Sequence, residues 1–261
     1  MFKLITVESI YMPELAIYQQ LRDNVFDKEN SFVADSPKVV NMLLSTEIEV
    51  KSILATKEYY EEFGELIASK NIAKLFVCDK KEMETIIGHK LHHNCMMHGV
   101  RPPETPLDKL GNHILMLDVI SSTENIGSIA RSAAALGVDS YLVPKAAPHP
   151  YGRRALRVSM GHVSKLKINI YNDIFQTLQT LQANGYTVLG AEVSVESIAL
   201  TEVKVPKKWV LLMGNEGAGL SKEVQDACDT LVQIEMMPDV RSFNVAIAAS
   251  ILMHHFKNNI K

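Results

Sequence analysis

The stretch His113-Ile-Leu-Met-Leu-Asp-Val-Ile120, followed by Ser-Ser-Thr-Glu-Asn-Ile-Gly-Ser-Ile-Ala-Arg131, decides the fold. Its first eight residues are almost all apolar, as in a strand buried on both faces of a parallel sheet. The residues that follow combine a capping box, Ser121-x-x-Glu124, with an apolar periodicity that ends at Gly137, which predicts a helix. A buried strand that leads directly into a helix is the repeating unit of an α/β fold.

The same alternation continues to the C-terminus. Apolar runs typical of buried strands occur at 139–144, 166–170, 186–193, 209–214 and 231–235, and helices are predicted over 173–183, from Ser221 and from Ser242. This order predicts a parallel sheet with helices on both faces. In such sheets ligands bind beyond the carboxyl ends of the strands, so we expect the function at the strand-to-helix turns.

A linker rich in proline divides the chain. Residues 100–113 contain three prolines and a glycine, and we expect domains over 1–107 and 108–261. The first domain has short strands at 52–56 and 74–78 and helical stretches at 59–69 and 80–87, which predict a small α/β domain.

Composition excludes several classes of protein. With 261 residues, 47% of them apolar and 22% charged, the chain resembles an ordinary soluble globular protein. It has no apolar run of the ~20 residues that span a bilayer, and no apolar segment typical of a secretory signal. The three cysteines are far apart, which excludes a disulfide framework and favours the reducing cytoplasm.

Three turns carry polar residues that local structure does not fully explain. In the first, Arg131 is the single charge among the small, mostly apolar residues 129–136 of a helix, so it either extends from the helix edge to water or approaches a phosphate or hydroxyl. In the second, Gly214-Asn-Glu-Gly-Ala-Gly219 fits neither GxGxxG nor GxxxxGK, which excludes dinucleotide and P-loop sites, and Glu216 favours a cationic or hydroxyl-rich ligand. In the third, a helix N-cap would explain only one of Ser242 and Asn244.

Together these turns resemble the signature motifs of the SpoU–TrmH branch of the SPOUT methyltransferases, over about residues 112–256. The family's motifs read N-x-G-x-x-x-R, G-x-E-x-x-G, and an I-P-M-like turn leading to S-L-N-V-x-x-A; here they correspond to 125–131, 214–219 and 234–248. The sequence SFVADSPKVVNMLL resembles, more faintly, the ribosomal-protein-like substrate-binding domain of many members.

The resemblance implies an α/β protein with a C-terminal parallel-sheet SPOUT domain, a trefoil knot and a small N-terminal α/β domain that binds substrate RNA. It also implies a homodimer in the cytoplasm, without a membrane partner, that binds S-adenosylmethionine in the knot. The implied reaction is methyl transfer to a ribose 2′-hydroxyl of ribosomal or transfer RNA.

The site residues are carried over from the motifs. Arg131 would stabilise the developing alkoxide, because an arginine hardly ever loses its proton. The other residues implied in catalysis, which orient substrate and cofactor, are Asn125, Glu216, Ser242 and Asn244. The cofactor-binding residues would be Met213, Gly214, Gly219, Ile234, Met236, Phe243 and Asn244. The third motif departs from the family pattern at Glu235, Pro238, Arg241 and Phe243.

Residues 141–170 carry basic charges and no acidic ones, which favours a phosphate-binding surface over an ordinary solvated face. The candidate RNA-binding residues are Lys145, Arg153, Arg154, Arg157, Lys165 and Lys167.

The sequence disfavours three alternatives. The cluster of His89, His92, His93, Cys95 and His98 suggests zinc, but no second cluster completes such a site, so we expect no metal. A non-catalytic RNA-binding member of the same fold is disfavoured because the polar motif residues are all present. A doubly wound dehydrogenase is disfavoured by the lack of GxGxxG.

Overall fold

The computed structural model describes residues 3–20, 26, 28–240 and 242–260. Its strands are β1 (Ile5–Thr6), β2 (Ser31–Asp35), β3 (Val50–Ala55), β4 (Lys74–Val77), β5 (Cys95–Val100), β6 (His113–Leu117), β7 (Ser140–Pro144), β8 (Lys167–Tyr171), β9 (Thr187–Ala191), β10 (Ile198–Ala199), β11 (Trp209–Met213) and β12 (Thr230–Gln233). Its α-helices are α1 (Pro37–Leu44), α2 (Lys57–Ala68), α3 (Lys80–Ile87), α4 (Thr123–Leu136), α5 (Arg153–Val158), α6 (Ile174–Ala183), α7 (Lys222–Asp226) and α8 (Val245–Asn258).

The chain forms two units that differ from the expected domains in one respect. Unit 1 comprises Met1–Pro103 and Tyr151–Ser164, and unit 2 comprises Glu104–Pro150 and Lys165–Lys261. The first change of unit lies close to the expected boundary between residues 107 and 108. The return of the chain into unit 1 at Tyr151 was not expected, because nothing local in 151–164 indicates where that segment packs.

Unit 1 is a small α/β domain, as the sequence predicts. Its five-stranded sheet has the order β1-β4-β3-β5-β2, and β5 is antiparallel to both of its neighbours. The predicted strands at 52–56 and 74–78 are β3 and β4, and the helix predicted over 80–87 is α3. Asp79 and Glu82 cap that helix with a reciprocal capping box, which explains its sharp start.

The segment Tyr151–Ser164 packs on unit 1 through rings, backbone and charge. The ring of Tyr151 lies 5.3 Å from that of Phe32. Asp35, whose side chain is 1% exposed, accepts a hydrogen bond from Arg153 Nε at 2.7 Å and another from Arg157 Nε at 3.0 Å. The guanidinium groups explain why a carboxylate is tolerated at the buried end of β2, since a buried charge needs a hydrogen-bonded partner.

Unit 2 has a fully parallel seven-stranded sheet in the order β10-β12-β9-β11-β6-β7-β8. Helices pack on both faces of the sheet. Neighbouring residues of a strand point to opposite faces, so two adjacent residues of β11 show which helices cover each face. Val210 belongs to a core cluster with Leu178 of α6 and Val224 of α7. Trp209 instead packs its ring against that of Phe256 of α8, with centroids 5.2 Å apart. The predicted parallel sheet with helices on both faces is confirmed.

Two predicted helix starts are shifted. The N-cap of α4 is Ser122, whose Oγ accepts a hydrogen bond from the Asn125 N–H at 3.3 Å, so the capping box predicted at Ser121 is wrong. Helix α8 begins at Val245 rather than at Ser242, because Asn244 is its N-cap and accepts from the Ala246 N–H at 2.9 Å. Among the described residues, no helix combines the length and apolarity needed to cross a bilayer.

Candidate functional site

Four neighbouring strands of unit 2 end at one edge of the sheet. In the order β12-β9-β11-β6 they are adjacent and parallel, so their carboxyl ends face the same way. Three of them lead into the three turns singled out in the sequence. The fourth, β9, leads into Glu192 and Val193, which the sequence analysis did not assign to the site. The topology therefore explains why turns far apart in the chain meet.

A cavity of about 550 Å³ opens at this edge. Eight predicted site residues line it, namely Met213, Gly214, Glu216, Gly219, Ile234, Met236, Ser242 and Phe243. Other lining residues include Ala191, Glu192, Val193, Pro238 and Leu252. Its size is that of an ordinary small-molecule site, and apolar side chains and polar groups share its walls.

The glycine-rich turn is a tight hairpin whose shape its glycines permit. The Asn215 N–H donates to the Gly219 carbonyl at 3.1 Å, and the Gly219 N–H donates back at 3.0 Å. A Cβ at Gly214 would lie 2.6 Å from the Leu220 nitrogen, which no side chain tolerates. Gly219 has φ +68°, a conformation that favours glycine. The close return of the chain over Gly214 closes one wall of the cavity.

Side-chain hydrogen bonds join the three turns. Asn244 Nδ2 donates to Asn125 Oδ1 at 3.1 Å, and Asn125 Nδ2 donates to Glu216 Oε1 at 2.9 Å. Each turn contributes one of these residues, although Asn125 and Glu216 are 91 positions apart in the chain. Asn244 thus both caps a helix and bonds to Asn125 of the first turn. Asn125 and Glu216, two of the predicted catalytic residues, also bond to each other.

A second bond fixes the first turn to the glycine hairpin. Asn215 Nδ2 donates to the Val119 carbonyl at 2.8 Å. Val119 has φ +50°, which is strained for a β-branched residue, and its side chain is 62% exposed. Backbone strain of this kind persists only where the surroundings hold it and is frequent at functional sites.

The Glu216 carboxyl is held in its charged form. Burial alone would raise its pKa, but the hydrogen bond from Asn125, together with backbone N–H groups of Glu216, Ser122 and Ser121, lowers the pKa below its ordinary value. The site therefore keeps a negative charge over the whole neutral range. In the first turn the pKa of the Asp118 carboxyl is raised by burial.

Arg131 lies outside this network. It is exposed on α4, and no hydrogen bond or ion pair joins it to another residue in the part of the chain that the structure describes. It does not line the cavity, nor do Asn125 and Asn244. A free guanidinium on a helix that starts at the site is available to a ligand larger than the cavity holds.

The six candidate RNA-binding residues divide between the units. Lys145, Lys165 and Lys167 are exposed in unit 2, where Lys167 Nζ lies 3.6 Å from Asp139 Oδ2. Arg153, Arg154 and Arg157 belong to unit 1. Arg153 and Arg157 hold Asp35, so part of their charge is already neutralised within the protein.

The histidine-rich segment spans two environments. Cys95 and His98 lie within β5 and are buried, and burial lowers the pKa of His98 to about 4. The other three histidines precede that strand. Over the described ranges, no group of three or more His, Cys, Asp or Glu side chains is arranged to hold a metal ion.

Two of the four departures from the family pattern lie at the cavity. Pro238 and Phe243 line it. Glu235 points elsewhere, since its Oε2 accepts a hydrogen bond from Thr201 Oγ1 at 3.0 Å. Arg241 lies outside the described residues.

A model of the SpoU rRNA methylase family matches residues 112–254, more than half of the chain. A protein of Staphylococcus saprophyticus, classed in the TrmH family of tRNA/rRNA methyltransferases, is 32% identical over 147 residues, which are 56% of this chain and 58% of the relative. The chain thus aligns with little more than half the length of that relative.

Solved structures resemble almost the whole chain. The AdoMet-bound rRNA methyltransferase of Sinorhizobium meliloti superposes with a TM-score of 0.85 at 23% identity and covers 98% of both chains. An RNA 2′-O ribose methyltransferase superposes with a TM-score of 0.78 at 19% identity, covering 98% of this chain and 99% of its own. At these identities the likeness concerns the fold, which here includes both units.

Proposed function

Because the chain belongs to the SpoU rRNA methylase family, we propose that it transfers a methyl group from S-adenosylmethionine to a ribose 2′-hydroxyl of ribosomal or transfer RNA. The observation that carries this proposal is the hydrogen-bonded series Asn244–Asn125–Glu216, which joins the three motif turns beside the cavity. The solved 2′-O ribose methyltransferase of the same fold supports the choice of hydroxyl.

The cavity suits S-adenosylmethionine by size and charge. Apolar side chains such as Met213, Ile234 and Leu252 offer a surface for an adenine ring. Among the described residues that line the cavity, the ionisable ones are Glu192 and Glu216, both acidic, which favours a cationic ligand.

The proposed chemistry asks the protein for alignment and charge stabilisation. Bound S-adenosylmethionine would supply an electrophilic methyl group on its sulfonium. The polar series at the rim would orient the ribose, since alignment contributes most of the advantage in such a displacement. Arg131, exposed and without a described partner, would stabilise the alkoxide that develops on the 2′-oxygen or bind the adjacent phosphate.

RNA would be held by the exposed lysines of unit 2 and by unit 1. Unit 1 is the proposed substrate-binding domain over the expected range 1–107, together with α5. Phosphate binding by these residues would make affinity fall with salt concentration. A cytoplasmic location agrees with the free thiols of Cys78, Cys95 and Cys228.

A homodimer and a trefoil knot complete the proposal. Phe243 and Ile247, at the start of α8, are 39% and 52% exposed, and Val119 is 62% exposed, so apolar surface is available beside the site for a second copy. The knot is supported by the fold likeness and by the insertion of β11 between β6 and β9. Sedimentation equilibrium of the purified chain tests the dimer, and a monomer would contradict it.

The test of the function is transfer of labelled methyl from S-adenosylmethionine to unmodified ribosomal and transfer RNA fractions. We expect label in one fraction, on the 2′-oxygen, as resistance of the modified linkage to alkaline hydrolysis would show. Label on a base would contradict the choice of hydroxyl. Absence of label from both fractions, with the cofactor still bound, would favour a non-catalytic RNA-binding protein.

The central asparagine of the series gives a pH-dependent prediction. Asn125→Asp replaces a donor to Glu216 by a second carboxylate, and we expect methyl transfer near neutral pH to fall by roughly 10²-fold through misalignment. The neighbouring acid raises the pKa of both groups, so part of the activity should return as the pH falls. Asn125→Ala removes the donor without charge and should show a loss that does not depend on pH. A pH profile of Asn125→Asp parallel to that of the wild type would contradict the contact.

A further inference from the structure

Glu192 follows the last residue of β9 and belongs to none of the three motifs. It is half-buried and lines the cavity on the side of β9, next to the glycine hairpin. The function proposed above leaves its role open. An acidic side chain directly after an apolar strand, at the edge where the site forms, therefore needs an explanation.

Its carboxylate holds the glycine hairpin. Glu192 Oε2 accepts the Leu220 N–H at 2.7 Å, and Oε1 accepts the Val193 N–H at 3.1 Å. A Cβ at Gly219 would collide with Glu192 Oε2, so the hairpin and the carboxylate fit closely. The bond to Leu220 fixes the returning strand of the hairpin where it crosses Gly214.

Its hydrogen-bond partners distinguish it from Glu216, the other acid of the cavity, which also keeps its charge. Glu216 accepts from the Asn125 side chain and takes part in the series that joins the turns. Among the described residues, no cationic side chain forms an ion pair with Glu192, and its two hydrogen bonds come from neutral backbone amides. Its negative charge therefore contributes to the electrostatic potential inside the cavity.

We propose that Glu192 is a specificity-determining residue, whose carboxylate makes the cavity bind the sulfonium form of the cofactor in preference to the neutral thioether product. This inference rests on the proposed function. In the transfer the S–CH₃ bond breaks with its electron pair left on sulfur, the O–CH₃ bond forms, and the hydroxyl proton leaves to solvent. The cofactor thus loses one positive charge at sulfur, and a fixed carboxylate favours release of the product.

The test is the affinity of the full-length protein for S-adenosylmethionine and for S-adenosylhomocysteine, measured by titration calorimetry. Glu192→Gln keeps an oxygen that accepts from Leu220 but removes the charge. We expect it to weaken the binding of S-adenosylmethionine by roughly fivefold, the order of effect of one unit charge in a partly solvated site. The affinity for S-adenosylhomocysteine should stay within about twofold, since that ligand carries no charge at sulfur.

Two further variants separate charge from structure. Glu192→Ala also removes the hydrogen bond to Leu220 and should lower the affinity for both ligands. Glu196→Gln removes the same charge from an exposed carboxylate that pairs with Lys222 at 2.9 Å and does not line the cavity, so it should change neither affinity.

Equal weakening of both ligands by Glu192→Gln, or no change in either, would overturn the role assigned to its charge while leaving the proposed function intact. Failure of the wild-type protein to bind S-adenosylmethionine at all would instead refute the proposed function, and the inference with it. A loss confined to S-adenosylmethionine, absent from Glu196→Gln, supports the inference.

Discussion

Replacement of Arg131 by alanine is expected to lower methyl transfer by about 10²–10³-fold, the usual cost of removing a donor that stabilises a developing oxyanion. Affinity for S-adenosylmethionine should stay within about twofold, because Arg131 does not line the cavity. The free energy of unfolding should change by less than about 0.5 kcal/mol, because the side chain is exposed and has no partner among the described residues. Single-turnover methyl transfer, calorimetry and urea unfolding measure the three quantities.

The matched control is Arg131→Lys, which keeps the charge but loses the planar fork of donors. We expect it to recover part of the lost rate, because a lysine acts as a point charge where an arginine binds an oxyanion or phosphate through two donors. Normal turnover at saturating cofactor, with weakened cofactor binding, would contradict the role given to Arg131.

The second large effect concerns Asp35 in unit 1. Asp35→Asn should lower the free energy of unfolding by about 3–5 kcal/mol, because it leaves two guanidinium groups without their buried counter-charge. Burial alone would raise the pKa of the Asp35 carboxyl, but the hydrogen bonds and charges of Arg157 and Arg153 lower it below the ordinary value.

That shift sets the sign of the pH dependence. A carboxyl with a lowered pKa in the folded state contributes stability above its unfolded pKa of about 3.9, and the contribution is lost as the pH falls through the folded pKa. The difference in the free energy of unfolding between the wild type and Asp35→Asn should therefore be largest near neutral pH and decrease in acid. Urea unfolding at about pH 7 and again in acid well below about pH 3.9, where folded Asp35 takes up its proton, measures it.

Glu61→Gln provides the comparison, since Glu61 is 62% exposed and pairs with Lys57 within one helix. It should change the free energy of unfolding by less than about 0.5 kcal/mol. Equal effects of the two substitutions would show that the Asp35 cluster contributes no more than a surface pair.

The sequence predicted those features that depend on local pattern. Helix α3 was predicted with its observed bounds, and the structure shows that Asp79 and Glu82 form a capping box before its apolar stripe. By contrast, the capping box predicted at Ser121 was one residue too early, and only the observed bond from the Asn125 N–H identifies Ser122 as the cap of α4. At α8 Ser242 and Asn244 competed in the same way, and the bond from Ala246 decides for Asn244.

Features that depend on distant partners were not predictable in this way. Helix α5 has no clear apolar periodicity, and its attachment to unit 1 depends on Asp35, 118 positions before Arg153. Glu192 carries no motif, and its place in the site depends on the strand order that sets β9 beside β11. The motif residues of the three turns were named from a family resemblance, and the structure brings most of them to one cavity edge.

The chain passes from one unit to the other three times, after Pro103, after Pro150 and after Ser164. A single cut at the first passage would therefore separate Asp35 from both of its arginines. Any exchange of the N-terminal module between relatives has two junctions more than a simple fusion, because residues 151–164 must travel with it. A module of this protein is therefore defined by packing and not by contiguous sequence. A chimera joined only at the linker would contain Asp35 as a buried charge without its counter-charges.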